Sequence, residues 1–185
     1  MKKINIEVPI VITRLQNHST IKPLLLNYID ELPNNSMYPQ KNNLDNISKT
    51  DWNLSNNVER KYLTYIKPII VDAISESFRE FKVNGLSFLN FWFQQYHLSD
   101  FHEWHVHMNC HWSNVYFVEL PDLAIKTEIL NVGNNSLIKY DVEEGDIISF
   151  PSILYHRSPP NPSTNRKTII SFNTNFISQF EKFDE

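Results

Sequence analysis

Phe101-His102-Glu103-Trp104-His105-Val106-His107 is the stretch on which the reading of the chain turns. Five of its seven histidines fall between His97 and His111. Side chains alternate along a strand, so His105 and His107 are expected on one face and Val106 on the other. One more histidine stands far downstream, in Pro151-Ser152-Ile153-Leu154-Tyr155-His156. Arriving from a second strand, it would complete a facial set of neutral imidazoles, which suits Fe, Zn, Cu or Ni without choosing among them. The plain alternative is a polar surface cluster, or core histidines that each have their own hydrogen bond.

Around this stretch the pattern is one of short strands. Leu86 to Tyr96 is a dense aromatic run, Trp112 to Leu120 reads as a buried strand, and Lys126 to Val132 ends at Gly133-Asn134-Asn135. Asp146 to Pro151 and Lys167 to Asn173 complete the set. Upstream, residues 4–12 alternate and predict a first strand, with Pro9 placing it at an edge. Asn17 to Thr20 offers a cap for a helix over Ile21 to Leu32, with His18 read as a surface residue. Residues 33–57, rich in Asn, read as a long loop, a lid or a plain surface excursion. From Asn57 to Phe81 the apolar spacing is helical, and Pro68 should kink or split that helix. Helices first and strands after argue for an α+β domain on an antiparallel sandwich or barrel. The division is 1–84, helical support and loop, and 85–175, the β core.

Composition narrows the partners. A chain of 185 residues with 41% apolar and 13% aromatic content can bury a core as one domain. A net charge of −4 gives no basic footprint for nucleic acid. No 18-residue apolar run marks a membrane span, the N-terminus lacks the apolar block of a signal peptide, and a single Cys fits a reducing cytoplasm.

Arg166, ten residues after His156, adds a second kind of signal. The loop between them is rich in Pro, Asn and Ser. If it folds back symmetrically, His156 and Arg166 end opposite one another on adjacent antiparallel strands. Arg166 and Thr168 then share a face with Ile170 and Phe172, and a guanidinium fork beside a hydroxyl is what a carboxylate needs.

With these residues in place, the chain resembles the 2-oxoglutarate/Fe(II)-dependent oxygenases, in the prolyl-hydroxylase-like branch common in phages. The resemblance rests on Trp104-His105-Val106-His107-Met108-Asn109, Trp112 to Val118, Gly145 to Pro151, His156-Arg157-Ser158-Pro159 and Arg166 to Asn173, about half of the chain. It implies a double-stranded β-helix (jelly-roll, cupin-like) core with the N-terminal helices packed on one sheet. It implies Fe(II) on His105 and His156, 2-oxoglutarate gripped by Arg166 and Thr168, and Tyr96 in contact with the cosubstrate. Ser113, Val115 and Phe117 would line the pocket. The wider family carries a carboxylate where this chain has His107. Either His107 is a third neutral ligand, or the metal keeps two protein ligands and an open position.

The activity so implied is hydroxylation of an unidentified primary substrate, a protein side chain or small metabolite, with O2. Two rivals stand beside it: a cupin-type dioxygenase that does not use 2-oxoglutarate, and a non-catalytic jelly-roll binding or structural phage protein. His102, Trp104, Asn109 and His111 are candidates for substrate or supporting contacts, with turn, surface or core positions as the alternative.

Overall fold

The computed structural model describes residues 2, 4, 7–33 and 45–177. The order is β1 (Val11–Arg14), α1 (His18–Asp30), β2 (Asp45–Asn46), β3 (Lys49–Thr50), α2 (Lys61–Ser77), β4 (Gly85–Tyr96) and β5 (Phe101–His105). Then come β6 (Trp112–Glu119), β7 (Glu128–Asn131), β8 (Ser136–Leu137), β9 (Asp146–Pro151), β10 (His156–Ser158) and β11 (Lys167–Ile177). A large antiparallel sheet runs β1-β9-β6-β11-β4-β3 and a small one β2-β5-β10-β7-β8. Two sheets face to face with helices outside the large one make a jelly roll.

The large sheet is buried on both faces, and the alternation along its strands sorts residues between two cores. Phe93, Tyr116, Ile170 and Phe172 meet Ile21, Leu25, Ile66 and Ile70 of the helices. Val115, Phe117, Phe150 and Ile169 fill the space between the sheets with Ile129 of the small one. In β4 and β11 the register slips between Phe172 and Thr174, so Leu89 and Asn90 stand opposite Asn173 in a bulge. Phe88 and Phe91 therefore both reach Phe172, at 6.2 and 4.7 Å between ring centres.

Several local expectations are corrected. The first strand is displaced to Val11–Arg14, although it does lie at a sheet edge. α2 continues through Pro68 without a break, and its apolar stripe Tyr62, Ile66, Ile70 and Ile74 is wholly buried, so packing overrides the lost hydrogen bond. Half of the expected 33–57 loop is structured: Ile47, Thr50, Asp51 and Leu54 are buried. Residues 34–44 lie outside the described residues. The Asp51 carboxylate takes hydrogen bonds from the Phe93 amide, the Tyr62 hydroxyl and Arg60 Nε. Lys49 Nζ donates to the carbonyls of Ile29 and Asp30 and so closes the C-terminal end of α1.

His18 is not on the surface. It is 7% exposed, with Nδ1 2.7 Å from the Tyr116 hydroxyl and Nε2 3.2 Å from Glu144. It packs on Gly145, where φ is +98° and an added Cβ would come within 2.8 Å of the imidazole. Gly145→Ala should therefore lower stability by about 1–3 kcal/mol, through strain and clash together. Its urea midpoint against the parent's is the measurement.

Candidate metal centre

β5 and β10 pair antiparallel with His105 directly opposite His156, and the two rings stand 4.2 Å apart. β5 ends at His105, so His107 is not on the strand as the alternation supposed. The chain beyond is fastened to the β9–β10 turn by His107 N–H to the Ser152 carbonyl, 3.2 Å, and Ser152 N–H to the His111 carbonyl, 3.0 Å. This brings the third ring to 4.9 Å from His156. One ring nitrogen from each of His105, His107 and His156 lies within 4.8 Å of the others.

The partners of the rings fix which nitrogen that is. His105 Nδ1 is 2.7 Å from the Glu103 carbonyl and His156 Nδ1 3.0 Å from the Leu154 carbonyl. A carbonyl only accepts, so Nδ1 carries the proton in both and Nε2 keeps its lone pair. His107 Nδ1 sits 2.7 Å from Asn173 Oδ1 and 2.9 Å from Ser113 Oγ, which sets the same tautomer. An N–H tied to an oxygen behind each ring is the usual support of a metal-bound imidazole. Burial pushes His107 down to about 4 and His156 well below its ordinary value; it lowers His105 too. All three are neutral at pH 7, as ligation requires.

His102 stacks on His105 at 4.0 Å but is no member of the trio; its Nδ1 faces Gln94 at 3.3 Å and its Nε2 lies 3.5 Å from Asp45. Burial and the neighbouring histidines push it down to about 3. Trp104 faces the opposite side of the small sheet, under Arg157 at 4.7 Å. Asn109 forms a left-handed turn at φ +62° and is exposed. His111 is likewise exposed, and its Nδ1 accepts from the Phe176 amide. None of these three reaches the cavity.

Two cavities meet at the trio. An outer mouth of about 440 Å³ opens over His102, His105 and His107. An inner chamber of about 20 Å³ runs between the sheets past Val115 and Ile169 to Tyr96, Thr127 and Ser158. Ser113 supports His107, Val115 lines the chamber and Phe117 belongs to the core behind it.

Arg166 and Thr168 do not share that space. β10 lies in the small sheet and β11 in the large one, so His156 and Arg166 are on different layers and no hairpin joins them. Arg166 grips Glu119 through Nε at 2.8 Å and Nη2 at 3.3 Å, and reaches Asp30 of α1 at 3.0 Å. Thr168 also donates to Glu119. Residues 166, 168, 170 and 172 do share a face, but it is the helix side. The residue turned between the sheets is Lys167, 0% exposed. Its Nζ donates to the Ile125 carbonyl at 2.6 Å and Ser158 Oγ at 2.7 Å, over the Tyr96 ring at 5.1 Å. No carboxylate among the described residues pairs with it. Burial pushes it down to about 7, against the pull of Glu128. Sequence reasoning missed it because β11 is buried on both faces and carries polar and apolar residues on each, so parity with its neighbours could not tell the inside from the helix side.

No protein-family model matches the sequence, and no curated protein matches it. Solved structures do. A prolyl hydroxylase from Trichoplax adhaerens, in complex with a hypoxia-inducible-factor peptide fragment, is 13% identical with a TM-score of 0.62, over 90% of this chain and 83% of that one. The viral collagen prolyl hydroxylase of Paramecium bursaria Chlorella virus-1, in its 2-oxoglutarate complex, is 11% identical with a TM-score of 0.55, over 90% and 94%. The α-ketoglutarate-dependent epimerase SnoN of nogalamycin biosynthesis is 7% identical with a TM-score of 0.64, over 89% and 76%. The chain thus has its jelly-roll fold in common with these two prolyl hydroxylases and this epimerase.

Proposed function

We propose that the chain is a non-haem Fe(II)- and 2-oxoglutarate-dependent dioxygenase that hydroxylates a protein side chain or small metabolite. The observation that carries this reading is the convergence of three imidazoles, each with Nδ1 tied back, at the entrance to a chamber that leads toward a buried lysine with no acid partner among the described residues. His105, His107 and His156 would hold the metal through Nε2, with His107 in place of a carboxylate. That exchange removes one negative charge and shifts preference from hard ions toward Zn and Cu.

Bound there, Fe(II) with 2-oxoglutarate and O2 supplies the oxidation that places oxygen on a substrate C–H bond and releases succinate and CO2. The chain's own part is positioning. Lys167, instead of Arg166, would receive the far carboxylate, with Ser158 beside it and Tyr96 as the wall. Near pH 7 its Nζ is poised between charge states, and an arriving carboxylate favours the protonated one. The sheets exclude bulk water from the inner end.

The inner chamber, at about 20 Å³, matches one water and not a five-carbon diacid, so binding requires side chains there to move. This is the one feature that favours the cupin-type rival. Anaerobic addition of Fe(II) and 2-oxoglutarate should give a weak visible charge-transfer band, and aerobic turnover should give succinate. Metal binding with no band and no succinate would select the rival.

A further inference from the structure

The mouth of the site says what the primary substrate is like. We infer that it takes an uncharged substrate whose flat ring lies on Trp52, with polar edges met by amides. This deepens the oxygenase reading and rests on it for calling the occupant a substrate.

The cavity of about 440 Å³ is walled, beyond the histidines, by Trp52, Trp92, Met108, Asn90, Gln94 and Asn173, with Val106 at the edge. Among the described residues no Asp, Glu, Lys or Arg lines it. An ion entering a half-enclosed site loses hydration, and a wall without an opposite charge returns nothing for it. A neutral amide or hydroxyl loses less, and primary amides can meet it as donor and acceptor alike. The trio adds none either: each Nδ1 proton is tied to an oxygen and each Nε2 keeps its lone pair.

Trp52 is the more telling residue. Trp52 is 46% exposed, yet the two residues before it are buried and tied down. Thr50, 3% exposed, donates to the Phe93 carbonyl and accepts from the Trp52 amide. Asp51, also 3% exposed, is held by three donors. Trp52 then meets buried Trp92 edge-to-face, 4.4 Å between ring centres at 80°. A large apolar ring held rigidly in a site's mouth is preorganised contact area. The bulge at Leu89 and Asn90, opposite Asn173, puts two amides on that wall. Bulges beside sites commonly re-aim side chains in this way.

Benzamide, benzoate and benzamidine have nearly one shape and differ in charge, so they separate the terms. They are titrated by ligand-observed NMR against the full chain after chelator treatment, so that benzoate has no metal to bind. Benzamide should bind about tenfold tighter than either ion. Trp52→Ala should weaken it roughly fivefold, while Trp104→Ala, on the far side of the small sheet, leaves it unchanged. Equal or tighter binding of either ion, no binding of any probe, or unaltered binding to Trp52→Ala overturns the inference. No metal or 2-oxoglutarate is present, so failure of the oxygenase reading leaves a different trace: benzamide bound as expected, and no succinate.

Discussion

Lys167→Met is expected to lose 2-oxoglutarate binding while keeping its fold. Removing one partner of a buried, hydrogen-bonded charge pair costs about 2–5 kcal/mol, roughly 30-fold to several-thousand-fold in Kd. The fold should hold because Met fills the volume of the Lys stem and no ammonium needs desolvating, while the unpaired Ile125 carbonyl and Ser158 hydroxyl cost about 1–3 kcal/mol. Arg166→Leu should do the reverse. It breaks the half-exposed contacts to Glu119 and Asp30, costs about 1 kcal/mol of stability, and leaves 2-oxoglutarate affinity in place. Calorimetric titration and thermal melts of the two variants read both quantities. If Arg166→Leu abolishes binding and Lys167→Met does not, the assignment of the anchor is reversed.

The same lysine gives a pH signature. Its value in the fold is about 7, against about 10.4 in an unfolded chain. Between those values the unfolded state binds more protons, so stability should rise with pH across that window and be flat below it. In Lys167→Met that rise should disappear. Binding of 2-oxoglutarate near pH 8 should also take up a proton, visible as a buffer-dependent heat.

The second large effect concerns the metal. His156→Ala and His105→Ala each leave two imidazoles, and Co(II) affinity should fall by more than about 100-fold, beyond what loss of a supporting partner costs. Asn173→Leu removes the acceptor behind His107 and should cost about 10–100-fold. His102→Ala removes a ring that stacks on His105 without joining the trio, and Co(II) affinity should stay near the parent's. The visible spectrum of Co(II) reports ligand number directly. If His107→Ala leaves that spectrum unchanged, His107 is no ligand and the metal has two protein donors.

The order of these effects also shows what the sequence could and could not reveal. His105 and His156 were legible because two strands that each carry a histidine need only pair to bring the rings together. His107 was placed by an alternation that stops two residues too early; hydrogen bonds to Ser152 and Asn173 do the work instead, across distances no local pattern encodes. The helices were legible from their apolar spacing, although burial carried α2 through Pro68. Lys167 was hidden by its own strand. A ribbon packed on both faces has no solvent side, so alternation gives the partition of residues but not its sign. Residues 45–54 carry no strand pattern because their pairings are two residues long, and only the fold reveals that Trp52 stands at the site.

His105 and His156 come from the small sheet; Lys167, Asn173 and Ser113 come from the large one. The distance from the proposed metal site at the histidine trio to the proposed anchor at Lys167 is therefore set by the thickness of the sandwich, which Val115, Phe150, Ile129 and Ile169 determine by their volume. A methylene gained or lost there would detune the site without touching any group that reacts. The core between the sheets is the gauge block of this protein, and drift in its dimensions would be felt first as altered chemistry, before it is felt as altered stability.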